Sequence, residues 1–428
     1  MFLVKIMLRI LGLIFILYLV FFQKKETEST WAWILVLWNL PCVGIILYFL
    51  TGQEFPKKKN RDHLNTIGEI TEDNYVRILL TGEEKFETLF QDILEAKKEI
   101  FLQYYIIKDD FLFQKIQELL IKKAAAGVEV RILYDALGSR KIKKKTWTKL
   151  QEYGIQVKAF KSPLWRRKLF GCNYRNHRKL VIIDKYVGYV GGYNLGKEYL
   201  GLEKKFGFWR DTHLRIVGSA VHSLREVFLE DWGEKRIWEA VMKGQGGCGL
   251  QVVTAGPETA SPHIRNVYLR LIMAAKEKIW IQTPYFIPDQ PVLTALKMAL
   301  LSGKEVKIMI PCKPDHAFVY WATLFYAGEL LEAGAKVYIY ENGFLHTKGM
   351  IMDEDIYCYG TANMDIRSFH LNYEINVLVY GKDEVKKMVE IYQEDMHFCK
   401  EMSLQEYAGR SPVIRLKEQL FRLLSPLL

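Results

Sequence analysis

Hydrophobic and polar positions divide the chain into two regions of different period. Ile10 to Phe22 is wholly apolar and, with Phe2 to Leu8, extends a stretch whose only charges are Lys5 and Arg9; Trp31 to Leu50 then runs for twenty residues without a charge. Twenty helical residues match a hydrocarbon layer of about 30 Å, so the pattern predicts two transmembrane helices. Pro41 and Gly44 are tolerated in a lipid-spanning helix, and Trp31, Trp33 and Tyr48 suit its interfaces. A signal peptide shares the basic start and short apolar core, but no A-x-A-like cleavage site follows Phe22. Lys57, Lys58, Lys59 and Arg61 come next, and such a basic flank stays cytoplasmic. Residues 1–60 therefore read as a two-pass anchor with a short outward loop around Lys24 to Thr30, and the catalytic body as cytoplasmic. Lysines beside a span also attract anionic headgroups.

Past Tyr75 the period becomes that of alternating strands and helices, and it occurs twice. Ala96 to Gln103 matches Ala275 to Gln282, each a helix end running into a buried strand. Leu119 to Gly127 and Leu296 to Gly303 read as helices closed by glycine, followed by strands at Val128–Tyr134 and Glu305–Ile310. A further helix ends at Gly154 or Gly334, and strands follow at Ile155–Phe160 and Ala335–Tyr340. Strand–helix alternation predicts an α/β fold of two lobes, 61–243 and 250–428, each a mainly parallel sheet with helices on both faces. The glycine-rich Gly244–Gly249 divides them.

Composition narrows the possibilities. Half of the 428 residues are hydrophobic and 13% aromatic, which excludes a disordered chain; 60 Lys and Arg against 49 Asp and Glu leave a net charge of +11. The six cysteines include no C-x-x-C pair, which argues against a disulfide framework, a zinc site or an iron–sulfur cluster.

The candidate chemistry is a pattern present once per lobe. His177, Lys179, Asp184, Gly191 and Asn194 in the first lobe recur, at the same spacing, as His346, Lys348, Asp353, Gly360 and Asn363 in the second. Each copy lies where a strand (Leu180–Ile183; Gly349–Met352) passes through a turn into another strand. One neutral imidazole can attack phosphorus while another, protonated, delivers a proton to the leaving oxygen. The lysines and the amides of Asn194 and Asn363 supply donors for nonbridging phosphodiester oxygens, a role that needs no metal. Neither H-E-x-x-H nor G-x-x-x-x-G-K-[ST] occurs, so no metal and no cofactor is expected. The other histidines (His63, His213, His222, His263, His316, His370 and His397) have no matched partners and read as structural or solvated. Gly191, Gly192 and Gly360 read as turn or close-packing positions.

These motifs resemble those of the phospholipase D superfamily. Longer segments, Asn176–Asp184, Phe208–Arg215, Thr283–Asp289, Gly343–Lys348, Gly360–Phe369 and Leu371–Asn376, are similar to its bacterial cardiolipin synthase branch, and the likeness covers nearly the whole chain. The resemblance implies a membrane phosphatidyltransferase. It would pass a phosphatidyl group from one phosphatidylglycerol to a histidine, releasing glycerol, and then to a second phosphatidylglycerol, giving cardiolipin. It makes His177 the expected nucleophile, His346 the acid that becomes the base, and Asp211 and Glu374 the residues that orient the histidines. Asp184 and Asp353 belong to the motif, more as structural than as reacting groups. The implied partners are phosphatidylglycerol and membrane lipids, without nucleic acid; oligomeric state is left open. A membrane-bound hydrolase or phosphodiesterase would use the same residues but admit water. A nuclease and a non-catalytic lipid-binding scaffold are the remaining rivals.

Two stretches suit membrane work. Leu164–Phe170 mixes aromatic and basic residues as interfacial segments do, although a solvated loop reads equally well. From Ser411-Pro412 onward, Val413, Leu416, Leu420, Leu423, Leu424 and Leu427 recur at helical spacing opposite Arg415, Glu418, Gln419 and Arg422. This amphipathic helix either lies on the membrane or packs on a lobe, and packing is the commoner fate.

Overall fold

The computed structural model describes residues 2–22, 27–48, 68–160, 174–234, 244–259, 262–423 and 425. The basic cluster Lys57–Arg61 and the stretch Leu164–Phe170 lie outside the described residues. A small N-terminal unit and a large unit form separate compact bodies.

The small unit is built from α1 (Phe2–Phe22), α2 (Thr27–Asn39) and α3 (Pro41–Leu47). The second apolar stretch is not one helix. Pro41 opens α3, and Leu40 before it leaves the helical region at φ −133°, ψ 64°, because a proline disfavours helical backbone in the residue it follows. No helix among the described residues is long and apolar enough to cross a membrane, where the sequence pattern leads one to expect two. Ile16, Leu19, Leu37 and Tyr48 make a small core, with Tyr48 edge-on to Phe15 and Trp33 at 5.1 Å each.

The large unit carries the internal repeat. Its first half runs β1 (Thr71–Leu79), α4 (Gly82–Glu95), β2 (Glu99–Tyr104), α5 (Phe111–Ala125), β3 (Glu129–Asp135), α6 (Lys144–Glu152), β4 (Gln156–Phe160), β5 (Leu180–Ile183), β6 (Val187–Gly191), β7 (Trp209–Arg210), β8 (His213–Val217) and α7 (Ala220–Trp232). Its second half runs β9 (Cys248–Ala255), α8 (His263–Ala274), β10 (Lys278–Gln282), β11 (Phe286–Ile287), α9 (Gln290–Leu301), β12 (Glu305–Pro311), α10 (Ala317–Glu332), β13 (Lys336–Tyr340), β14 (Phe344–Leu345), β15 (Gly349–Met352), β16 (Ile356–Gly360), β17 (Met364–Asp365), α11 (Ile366–His370), β18 (Glu374–Tyr380), α12 (Lys382–Met396) and β19 (Cys399–Glu401). Two helices close the chain, α13 (Leu404–Ala408) and α14 (Pro412–Leu423).

Two expectations are corrected by the sheet. The halves do not own separate sheets: fifteen strands form one, in the order β19-β13-β12-β10-β15-β16-β18-β9-β1-β8-β6-β5-β2-β3-β4. Reading outward from β9 and β1, the two halves follow the same path, so they are related by a pseudo-twofold axis at the β1–β9 seam. That seam is antiparallel and shifts register between Thr71 and Asn74. The sheet is also mostly antiparallel. Within this fifteen-stranded sheet, among the described residues, only β2–β3, β3–β4, β10–β12 and β12–β13 pair in parallel. These are the strands that alternate with helices; β5–β6 and β15–β16 are hairpins, and a tight turn forces antiparallel pairing. Each half packs its own helices on the sheet, around Phe86, Leu89 and Trp147 in the first and Tyr268, Leu296 and Leu330 in the second.

The motif aspartates hold the hairpin turns. Asp184 and Asp353 have positive φ, 53° and 51°, and their carboxylates accept amides at the start of the neighbouring strand. Asp353 takes the Lys276, Glu277 and Lys278 amides at 2.9 Å each; Asp184 takes those of Lys97, Lys98 and Glu99 at 2.6–3.1 Å. They stand at the opposite end of a four-residue strand from the motif histidines, so their role is to tie the hairpin to β2 or β10. Asp353→Ala should lower stability by about 2–3 kcal/mol, the loss of charge-assisted bonds to three partly buried amides, measured by denaturant unfolding.

Candidate active site

The two motif histidines are positioned by backbone from opposite halves of the large unit. Leading into β5, the Asn176 segment pairs in parallel with Tyr373: the His177 amide donates to the Tyr373 carbonyl at 2.9 Å, and the Tyr373 amide to the Arg175 carbonyl at 2.8 Å. Leading into β15, β14 pairs in parallel with β7, and the His346 amide donates to the Arg210 carbonyl at 2.7 Å. The residue after each accepting carbonyl is an acid. His177 Nδ1 thus meets both oxygens of Glu374, at 2.9 and 3.0 Å, and His346 Nδ1 meets Asp211 Oδ2 at 2.5 Å. The pairing is crossed, each half orienting the other half's imidazole. With Nδ1–H donated to a carboxylate, Nε2 is the nitrogen left for chemistry.

Further bonds fix the carboxylates. Thr361 Oγ1 donates to Glu374 at 2.6 Å and Asn372 Nδ2 at 3.2 Å, while the Thr212 amide donates to Asp211 at 2.8 Å. Gly192 makes room for the latter, since a Cβ there would lie 2.0 Å from Asp211 Oδ1; at Gly360 one would lie 2.3 Å from the Ile375 carbonyl. Lys179 Nζ donates to the His177 carbonyl at 2.7 Å, and Lys348 Nζ donates to the His346 carbonyl and stands 4.0 Å from Asp211 Oδ2. Tyr105 packs edge-on to the His177 ring and Trp209 against that of His346, both at 5.0 Å.

Five of these six groups are buried and His177 is nearly so, and burial is the largest influence on their titration. It lowers His177 below its ordinary value against the pull of Glu374, and it lowers His346 to about 4, with Lys348 adding to the shift and Asp211 opposing it. Both imidazoles are therefore predominantly neutral at pH 7. The charges of Lys179 and Lys348 each act on both histidines, which puts the two motifs in one electrostatic environment. Burial also lowers Lys348 to about 8 and Lys179 well below the ordinary lysine value. For Asp211 burial works upward but Lys348 and His346 outweigh it, and for Glu374 the same holds with His177; both carboxyls end below their ordinary values.

The asparagines stand beside this cluster with internal partners. Asn194 Oδ1 accepts from the Ile106 amide at 3.0 Å and its Nδ2 donates to Tyr199 at 3.1 Å; Asn363 Nδ2 donates to Asp365 at 3.2 Å. Among the remaining histidines, His213 is fully buried in the first half and His370 lies 3.2 Å from Asp289.

Sequence reasoning missed two buried clamps. Arg178 holds Asp231 at 2.6 Å and donates to the Glu374 carbonyl at 3.2 Å, with Gln103 on the same aspartate at 2.5 Å. Arg210 chelates Asp395 through two bonds of 2.7 Å and donates to the Asp211 carbonyl, with Gln282 on Asp395 at 2.7 Å. Each clamp grips the main chain of an orienting acid. The recurrence of Gln103 and Gln282 at the ends of matched strands was the available signal.

Comparison with known proteins agrees with this duplicated site. A family model described as cardiolipin synthase, PLD-like domain, matches residues 89–232 and 268–396. The chain belongs to the phospholipase D-like cardiolipin synthase family. A second model, phospholipase D-nuclease N-terminal, matches residues 10–53. The chain is 43% identical to the major cardiolipin synthase ClsA of Bacillus subtilis (strain 168), over 98% of each chain. It is 42% identical to a cardiolipin synthase of Oceanobacillus iheyensis, over 98% of this chain and 99% of that one. Among solved structures, phosphatidylserine synthase of Haemophilus influenzae Rd KW20 covers 87% of this chain and all of its own at 15% identity and a TM-score of 0.66, a likeness of fold.

The lysine at the centre sets a pH limit. Lys348, lowered to about 8, carries its charge below that value and loses it as pH rises, so kcat/KM should fall through an alkaline limb near pH 8, read from a pH–rate profile.

Proposed function

We propose that this protein is a cardiolipin synthase: it transfers a phosphatidyl group between two phosphatidylglycerol molecules through a phosphatidyl-histidine intermediate. The observation that carries the reading is the pair of crossed imidazole–carboxylate contacts, buried with two lysines in one cluster. In the first step His177 Nε2 attacks phosphorus as the bond to the glycerol oxygen breaks, and protonated His346 gives that oxygen its proton. Glycerol leaves. In the second step neutral His346 takes the proton from the terminal hydroxyl of the second phosphatidylglycerol, whose oxygen attacks phosphorus as the P–N bond breaks. His177 is released, and the products are cardiolipin and one glycerol. One ester is exchanged for another, so no energy source is consumed.

The electrostatics supports this division of labour. An empty site with both imidazoles neutral already has a nucleophile at His177. The proton that His346 needs is favoured when an anionic phosphodiester arrives, because an opposite charge within a few ångströms raises a histidine's pKa. Lys179, Lys348 and, with adjustment of their internal bonds, Asn194 and Asn363 stabilise the nonbridging oxygens in the transition state. Asp211 and Glu374 fix the tautomer and balance the imidazolium as it forms.

In this reading the small N-terminal unit is the membrane anchor and the large unit faces the cytoplasm. Helix α1 turns Leu13, Ile14, Leu17, Phe21 and Phe22 outward, an apolar surface far beyond what four core residues can bury. Basic residues at both ends, Lys5 and Arg9 before and Lys57–Arg61 after, support a cytoplasmic position for both ends, since basic flanks stay on that side.

Purified protein given labelled phosphatidylglycerol should yield cardiolipin and glycerol in equal amounts by mass spectrometry. His177→Ala should cut the rate by at least about 1,000-fold. Phosphatidic acid as the only lipid product would make the protein a hydrolase instead. Calorimetry in two buffers of different ionisation enthalpy, with a non-reacting phosphodiester lipid, should show about one proton taken up on binding at pH 7, and His346→Gln should abolish the uptake.

A further inference from the structure

Helix α14 packs on α10, but not by the face its leucines suggest. Phe421 meets Phe318 at 4.9 Å, Lys417 lies over Trp321, Arg422 over Phe325, and the buried Glu418 is held by Arg410 at 3.1 Å. On the opposite side Val413, Leu416, Leu420 and Leu423 form a stripe at i, i+3, i+7 and i+10, each more than half exposed. The exposed charges of α14 are Arg415, Lys417 and Arg422, all positive. The face is therefore apolar with a wholly cationic border, which a neutral or basic partner would not complement but an anionic one would.

The same helix pair leads to the catalytic cluster. Asp315, two residues before α10, accepts a hydrogen bond from Tyr285, its backbone carbonyl accepts from Lys205 at 3.3 Å, and its charge acts on Lys348. Lys205 belongs to the loop that leads into Trp209, the ring packed on His346. That loop exposes Leu202 and Phe208 beside Lys204 and Lys205, and the first turn of α10 exposes Phe318. Leu202, Phe208 and Phe318 thus expose apolar side chains near lysines, on segments that contact the cluster through Trp209 and Asp315.

We propose that this surface, the outward stripe of α14 with Leu202, Phe208 and Phe318, docks on an anionic phospholipid bilayer and brings the catalytic cluster to the headgroups. The proposal rests on the reading of phosphatidylglycerol as substrate, since a reacting phosphate at the headgroup level requires the cluster to reach that level. The leucines enter the acyl boundary while Arg415, Lys417 and Arg422 stay among the phosphates.

The test uses the full chain and the double variant Leu416→Gln/Leu420→Gln, whose exposed positions make no core contacts. Turnover is measured on phosphatidylglycerol vesicles and on short-chain phosphatidylglycerol kept below its micelle concentration. The variant should lose about tenfold or more on vesicles, the scale of two leucines partly transferred to lipid, and keep the wild-type rate on the dispersed lipid. Equal loss on both substrates would mean that the helix only supports the lobe, and an unchanged vesicle rate would mean that the stripe touches no lipid; either overturns the proposal. A second measurement is independent of turnover. A polarity-sensitive fluorophore on Leu416→Cys, in a Cys42→Ser background and compared with the equally treated background, should shift to the blue on phosphatidylglycerol vesicles and far less on phosphatidylcholine vesicles. A label already shifted without vesicles, together with a concentration-dependent mass, would assign the stripe to a second copy of the chain and overturn the lipid assignment. Wild-type protein that shows the fluorophore shift but makes no cardiolipin would sink the substrate reading and leave the surface standing.

Discussion

The catalytic cluster depends on two short contacts between an imidazole and a carboxylate, each made across the pseudo-twofold axis. Without a partner, a buried carboxylate is costly, and a buried imidazole has no reason to keep one tautomer. Here each cost is met by the other half of the molecule. The parallel backbone pairing of His177 with Tyr373, and of His346 with Arg210, sets the register so that the next residue along is the required acid. Each half of the molecule therefore supplies a group that the other half's imidazole needs. The β1–β9 seam carries only an irregular pairing, so these crossed contacts and the two arginine clamps join the halves as much as the sheet does.

Charge explains why so many ionisable groups sit together in a dry place. Burial and the two lysines hold the imidazoles low, and the lysines and imidazoles in turn hold the two carboxyls below their ordinary values. The Lys179 and Lys348 amino groups also donate to the histidine carbonyls, which ties each lysine to the backbone of its own motif.

Much of this architecture is legible in the amino-acid sequence. The strands Leu180–Ile183 and Gly349–Met352 form as the pattern predicts, and the glycines after α5 and α9 end those helices. The structure sets Asp211 and Glu374 against the motif imidazoles, with the motif lysines beside them. What the sequence does not carry is the crossing, because nothing local links Glu374 to a histidine in the other half. Strand–helix alternation also predicts too much parallel sheet. It governs only the strands from β2 to β4 and their equivalents, whereas ten of the fourteen pairings in the sheet, among the described residues, are antiparallel, the hairpins at the Asp184 and Asp353 turns included. The second apolar run is long enough for a span, but the run alone does not register that Pro41 breaks its backbone in the middle. On α14 the leucine pattern locates the helix correctly, while the packing face comes from Phe421 and a buried Glu418–Arg410 pair that hydrophobicity does not reveal.

The repeat is also imperfect in a way that matters. Both clamp arginines come from the first half: at the matching positions the second half has Thr347 in place of Arg178, and Tyr373 in place of Arg210. Two identical subunits around a true twofold axis would be obliged to give their imidazoles the same surroundings, and each ring would have to serve as donor and acceptor of protons and as attacker alike. Joining the copies in one chain lifts that obligation. Every substitution on one side then differentiates the rings, so that the two halves of one chain can hold their imidazoles in unequal surroundings, a freedom that two identical subunits lack.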